Sequence, residues 1–137
     1  MVIDLHEKLE KNFSLHEFLW LPQWKVHVFP SKSQYENIKH LAKKLQGIRN
    51  MYNRRVFIMS GLRPELYNQL IGGSAFSSHR IGGAGDFIID GMDSDGVRLE
   101  LKDKLIEMKV RMEDSPTRHI HMDISIPLEG GNYYFKP

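Results

Sequence analysis

His119-Ile120-His121-Met122-Asp123-Ile124-Ser125-Ile126 alternates polar and apolar residues along its length. A strand turns successive side chains to opposite faces. Ile120, Met122, Ile124 and Ile126 therefore form a core-facing row, and His119, His121 and Asp123 form the other. One apolar face and one polar face are what an antiparallel sheet covered on a single side requires. A solvated surface is a common use of such a polar row. Two imidazoles and a carboxylate at strand spacing also make a surface able to bind.

Working outward, Ala84 to Ile89 reads as a second strand entered through Gly82-Gly83. Arg55 to Met59 reads as a buried strand ended by Ser60-Gly61. Helical periodicity runs from Ser33 to Tyr52, with Ile38, Leu41, Ala42, Leu45, Ile48 and Tyr52 on one face. Ser14-Leu15-His16-Glu17 has the form of a capping box, which predicts a short helix from Ser14 to Trp20. Pro64 opens another, Glu65 to Leu70, stopped by Gly72-Gly73. Asp93 or Ser94 starts a last one, with Val97, Leu101, Leu105, Met108 and Met112 sharing a face. Pro22 and Pro30 bracket an irregular stretch. The order predicts an α+β fold, a small, mostly antiparallel sheet packed against helices.

The 137 residues suit a single domain, 1–137. Hydrophobic residues at 41% are enough for a core, which excludes a disordered chain or a fibre. A net charge of +2 is too small to indicate nucleic acid as a partner. Nothing is long and apolar enough for stable membrane insertion. The first twelve residues carry Asp4, Glu7, Lys8, Glu10 and Lys11 around no apolar stretch, so no signal peptide is expected and synthesis is expected in the cytoplasm.

There is no cysteine, so any metal must be held by His and carboxylates. Ser77-Ser78-His79-Arg80-Ile81-Gly82-Gly83-Ala84-Gly85-Asp86 places a His before a glycine-rich turn and an Asp seven residues later, inside the next strand. The glycines let the chain fold back, so both side chains can reach one point. Alone, this is as well explained by a loop His and an Asp paired with a basic group. With one His of the final strand it becomes a three-ligand set, and catalytic zinc uses three protein ligands and an open fourth position to activate water.

Ser60-Gly61-Leu62-Arg63-Pro64, Asn68, Gly72-Gly73-Ser74, then Ser78-His79 with Gly82, Ala84 and Asp86, and finally His119-Ile120-His121-Met122-Asp123, resemble the zinc D-Ala-D-Ala carboxypeptidase family. Phage endolysin peptidases belong to that family, and hedgehog signalling domains share its fold. The resemblance runs from about Asn12 to Ile126 and includes the opening Asn12-Phe13-Ser14-Leu15-His16-Glu17-Phe18. It implies a Zn2+ site on the open face of the sheet, with His79, Asp86 and His121 as ligands. His121 is preferred to His119 because the family's last ligand is followed, after one residue, by Asp. It implies that Asp123 orients an imidazole, and that Arg63 holds a substrate carboxylate or a developing oxyanion rather than making only a structural ion pair.

The same resemblance implies an acidic or imidazole general base shortly before the last ligand, and here Arg118 stands three residues before His121. His119, Asp114 and Glu113 are the candidates, with His119 favoured for its face and its ordinary titration range. The implied activity is hydrolysis of an amide bond in bacterial peptidoglycan peptides, as a D,D-carboxypeptidase or endopeptidase of phage-lysin type. Its substrate would be met in the cell wall after release from the (host) cytoplasm. The alternative is a non-catalytic virion structural or binding module that keeps the fold, with or without the metal. Trp20, Trp24 and Tyr133-Tyr134-Phe135 are candidates to line a cleft, although aromatics in such places usually belong to a core.

Overall fold

Lys32–Tyr52 forms helix α1, capped by Ser31, whose side chain accepts from Gln34 N at 3.1 Å. The Gln34 side chain returns the bond to Ser31 N at 2.8 Å, closing a reciprocal cap. These features belong to a computed structural model that describes residues 1–125, 127 and 131–137. Ile38, Leu41, Ala42, Leu45 and Ile48 of α1 are buried, as the periodicity predicts, and Tyr52 packs at the edge of the same cluster. Gly85, in the sheet, would touch Leu41 and Leu45 if it carried a methyl group, which marks where the helix lies on the strands.

That sheet has five strands. β5 (Val56–Ser60), β6 (Ala84–Ile89), β7 (Arg111–Glu113), β8 (Ile120–Asp123) and β9 (Tyr134–Phe135) stand in the order β5-β6-β8-β7-β9. The first four pair antiparallel, and β9 lies parallel to β7. Phe87, Ile89, Met112, Ile120 and Met122 point into the core with α1. Ser60, Asp86, His121 and Asp123 project from the opposite face, as the alternation requires. Two hairpins precede α1: β1 (Lys8–Glu10) with β2 (Phe13–Ser14), and β3 (Trp20–Leu21) with β4 (Val26–His27). The remaining helices are α2 (Glu65–Leu70), α3 (Ser94–Leu101) and α4 (Leu105–Met108).

Three sequence expectations change. The helix expected from Ser14 to Trp20 is a single 3-10 turn, Leu15–Phe18; Glu17 still accepts from Ser14 N at 2.7 Å, and Trp20 belongs to β3. The stretch bracketed by Pro22 and Pro30 is a hairpin turned at Lys25, which adopts a left-handed φ of 53°. The apolar face expected to run to Met112 is broken. α3 ends at Leu101, α4 stops at the left-handed Lys109 (φ 58°), and Met112 is buried in β7. Val110 and Met112 are both fully buried around the half-exposed Arg111. The spacing therefore passes from helical to strand period without a gap in apolar residues, and the sequence pattern concealed the change. The final strand, expected from His119 to Ile126, spans Ile120–Asp123, with His119 in the bend before it and Ile126 outside the described residues.

Candidate metal centre

The registers of β5, β6 and β8 place Ser60 opposite Asp86 and Asp86 opposite His121. A carboxylate and an imidazole are thus cross-strand neighbours at the middle of the open face. His79 reaches them from outside the sheet. Ser77 caps a 3-10 turn, Ser78–Ile81, by accepting from His79 N at 3.2 Å, and Gly82 ends the turn at a φ of 79°. Gly82 is constrained twice over, because a Cβ there would also lie 2.7 Å from Gln34 O of α1. The turn delivers an imidazole that is 1% exposed.

His79 Nε2 lies 3.1 Å, and His121 Nδ1 3.0 Å, from the same Asp86 oxygen, Oδ1. The ligand atoms that His79, Asp86 and His121 offer lie within 4.8 Å of one another, so the three could hold a metal ion. The outer nitrogens are engaged too. His79 Nδ1 lies 2.7 Å from Gly61 O and His121 Nε2 lies 3.0 Å from Asp123 Oδ2. An acceptor on each outer nitrogen fixes the tautomer that leaves His79 Nε2 and His121 Nδ1 facing inward, which is the arrangement metal-binding histidines require. The residues present therefore fit a metal ion, and imidazole with carboxylate and no thiolate suits zinc and its neighbours among transition ions.

Asp123 is completely buried, and Arg111 neutralises it with two bonds of 2.8 Å, Nε to Oδ1 and Nη2 to Oδ2. Ser125 N adds a third at 3.1 Å. The polar row of β8 is thus a packed network rather than a solvated face. Arg63 Nη2 donates to Asp86 Oδ2 at 2.9 Å and its Nε to Ser60 Oγ at 2.9 Å. Asp86 is thereby held from behind, with Oδ1 left for the imidazoles.

Burial opposes the charge of His79, Asp86, His121 and Asp123; it prevails at His79 and is outweighed by hydrogen bonds at the other three. Burial lowers the pKa of His79 against the pull of Asp86. Burial also acts to lower His121, but its bonds to Asp123 and Asp86 prevail and push it up to about 9. Asp86 is held well below the usual carboxylate range: burial raises it, and the bonds from His121 and His79 outweigh that. Asp123 is lowered in the same way, against its burial, by His121 and Arg111. Arg63 and Arg111 already pair with the two carboxylates, and His121, when protonated, bonds to both of them. Binding a cation there requires that proton to leave.

A cavity of about 310 Å³ opens over these groups, lined by Arg63, Ser74, Ser77, His79, Asp86, Glu113, Thr117, His119 and His121. Of the candidate bases, His119 and Glu113 line it. Glu113 is next along β7 after Met112, which faces Met122, so the register leads it towards His121. Asp114 is engaged elsewhere, accepting from Tyr134 Oη at 3.0 Å and pairing with Lys136 at 2.7 Å, an exposed contact. Ser74, Ser77 and Thr117 also line the cavity; the two serines fall within the stretches quoted from the sequence but have no role assigned there, and Thr117 carries no signal in the sequence. Trp20 and Trp24 pack instead on His27 and Tyr67, with ring centroids 5.0 and 4.9 Å apart. Phe135 does reach the centre, edge-on to His121 at 5.9 Å and beneath the Arg111 guanidinium at 4.3 Å.

Among the described residues no helix is long and apolar enough to cross a membrane. No curated protein matches the chain. A family model described as Peptidase M15 matches residues 11–123, a span that includes Arg63, His79, Asp86, Glu113, His119, His121 and Asp123. With that match over most of its length, the chain belongs to the peptidase M15 family.

Proposed function

We propose that the protein is a zinc metallopeptidase that hydrolyses an amide bond in peptidoglycan peptides, as a D,D-carboxypeptidase or endopeptidase of the phage-lysin type. One observation carries the reading: His79, Asp86 and His121 open onto the same cavity as Glu113, His119 and Arg63. Family membership supports peptide hydrolysis, and the sequence resemblance supports the cell-wall substrate. Zinc in the three-ligand site would supply Lewis-acid polarisation of the scissile carbonyl and make water nucleophilic near neutral pH.

The chain's own groups do the rest. A carboxylate oxygen of Glu113 accepts the proton of the attacking water, and a ring nitrogen of His119 carries a proton to the departing amine. Arg63, fixed through Nε and Nη2, presents its remaining Nη1 to a substrate carboxylate or to the developing oxyanion. The Asp123–Arg111 pair holds the His121 ring in one orientation. Asp114, tied to Tyr134 and Lys136, takes no part.

The test is release of amine from purified cell-wall peptides by the zinc-loaded protein, with mass spectrometry locating the cut. Glu113→Gln and His119→Ala should each retain zinc and lower kcat by about 10²-fold or more. Asp114→Asn should stay within about 2-fold of the unaltered protein, as a surface change away from the site does. Full activity in Glu113→Gln would move the base to His119. No cleavage of any peptide by the zinc-loaded protein would replace the enzyme with a binding module that keeps the fold.

A further inference from the structure

Arg98 stands in the second turn of α3 and is 3% exposed. A guanidinium at that depth is costly unless its donors are met, and here Nη1 and Nη2 are met while the buried Nε has no partner among the described residues. Its Nη2 donates to His119 O at 2.7 Å, to Thr117 Oγ1 at 3.3 Å and to Thr117 O. Its Nη1 donates to Asp95 Oδ1 at 2.8 Å. Ser94, one turn earlier, donates from Oγ to Arg118 O at 2.5 Å. Three consecutive carbonyls, of Thr117, Arg118 and His119, are thus taken by one helix. Asp114 is the last residue bonded to the sheet, its N donating to Phe135 O at 2.6 Å; residues 115–119 lie in no strand, so no sheet ladder sets their path. Yet Thr117 and His119 line the metal cavity.

We propose that Arg98 is a positioning residue that holds the segment 117–119 against α3, with Ser94 assisting, and so sets where the His119 and Thr117 side chains stand in the metal cavity. Charge-assisted bonds to two carbonyls are strong and directional, and the planar guanidinium spans both at once. A wall made of irregular chain acquires in this way the rigidity of a helix, which a proton-carrying group needs to stay within reach of its target. The catalytic consequence rests on the peptidase reading above, whereas the positional one does not.

Both are read in the full-length, zinc-loaded protein carrying Arg98→Met, Arg98→Lys or Ser94→Ala. The ring signals of the histidines are followed by NMR, that of His119 being identified by its loss in His119→Gln. The expected result is that zinc content and the His79 and His121 signals hold, while the His119 signal shifts or broadens in Arg98→Met and Ser94→Ala. Arg98→Lys, which keeps a cationic donor, should restore part of it. On cell-wall peptides, kcat should fall about 10- to 100-fold in Arg98→Met, with KM within about 2-fold, because misplacement of a reacting group rather than binding is affected. If Arg98→Met does not fold, Ser94→Ala and Arg98→Lys decide, and an unmoved His119 signal in both overturns the proposal. So does a folded Arg98→Met with an unchanged His119 signal. If the unaltered protein cuts nothing, the peptidase reading fails while the His119 signal still decides the clamp.

Discussion

His121 is held at both ring nitrogens, by Asp86 on one side and Asp123 on the other, and this double grip separates it from His119, two residues away on the same face. His119 stands just before β8, in the exposed bend that leads into it, and among the described residues no contact ties its ring to Asp86 or Asp123. His121 is thus one of the three residues that could hold a metal, and His119 lines the cavity beside them. Metal analysis should find about one zinc per chain, as a single three-ligand site holds. His121→Ala should lose it, while His6→Ala, on the exposed N-terminal segment, should not. Two-way retention of zinc by both variants would remove His121 from the site. Asp123→Asn keeps the shape but weakens the acceptor on Nε2 and leaves Arg111 without its charge partner. Zinc affinity should drop about 10- to 100-fold, measured by competition with a chelator; an unchanged affinity would mean that Asp123 serves only the fold.

Among the elements, α1 carries the largest single share of the core and presses on the strands that bear Asp86 and His121. Leu45 is fully buried there. Leu45→Ala should destabilise the protein by about 2–5 kcal/mol in a denaturant titration, and a loss within error would mean that the helix face is wrongly assigned. The turn bearing His79 is a second element with little tolerance. Gly82→Ala must place a methyl group against the α1 backbone at Gln34 in a left-handed conformation. Loss of zinc together with about 1–3 kcal/mol of stability is the expected outcome, since a strained turn displaces the imidazole it ends. A variant with unaltered zinc content and stability would show that the turn adjusts without moving His79.

At the scale of the whole molecule, a metal at this site would tie the sheet to the 78–81 turn, which meet here through the His79–Asp86 bond and the His79–His121 ring contact. An ion that binds the folded chain and not the unfolded one stabilises it by mass action, about 2.7 kcal/mol at a free concentration 100 times Kd. Thermal unfolding should shift upward with zinc and back with a chelator, and His79→Ala should abolish the shift. A zinc-dependent shift that survives His79→Ala would place the metal elsewhere. Much of this was legible from residues alone. Period two in Ile120, Met122 and Ile124 gave the sheet face, period 3.6 from Ile38 to Ile48 gave α1, and the glycines around Asp86 gave the return of the chain, because each signal is local and repeats over a few residues. Met112 misled, since one apolar residue serves a helix or a strand equally well until its neighbours' backbone is known. The pairing of Arg111 with Asp123, the approach of Glu113 in place of Asp114, and the hold of Arg98 on residues 117–119 are contacts between elements. Their sequence separations follow no period. Strand register and helix docking alone decided them, because only packing fixes which side chains of distant segments share a few ångströms of space.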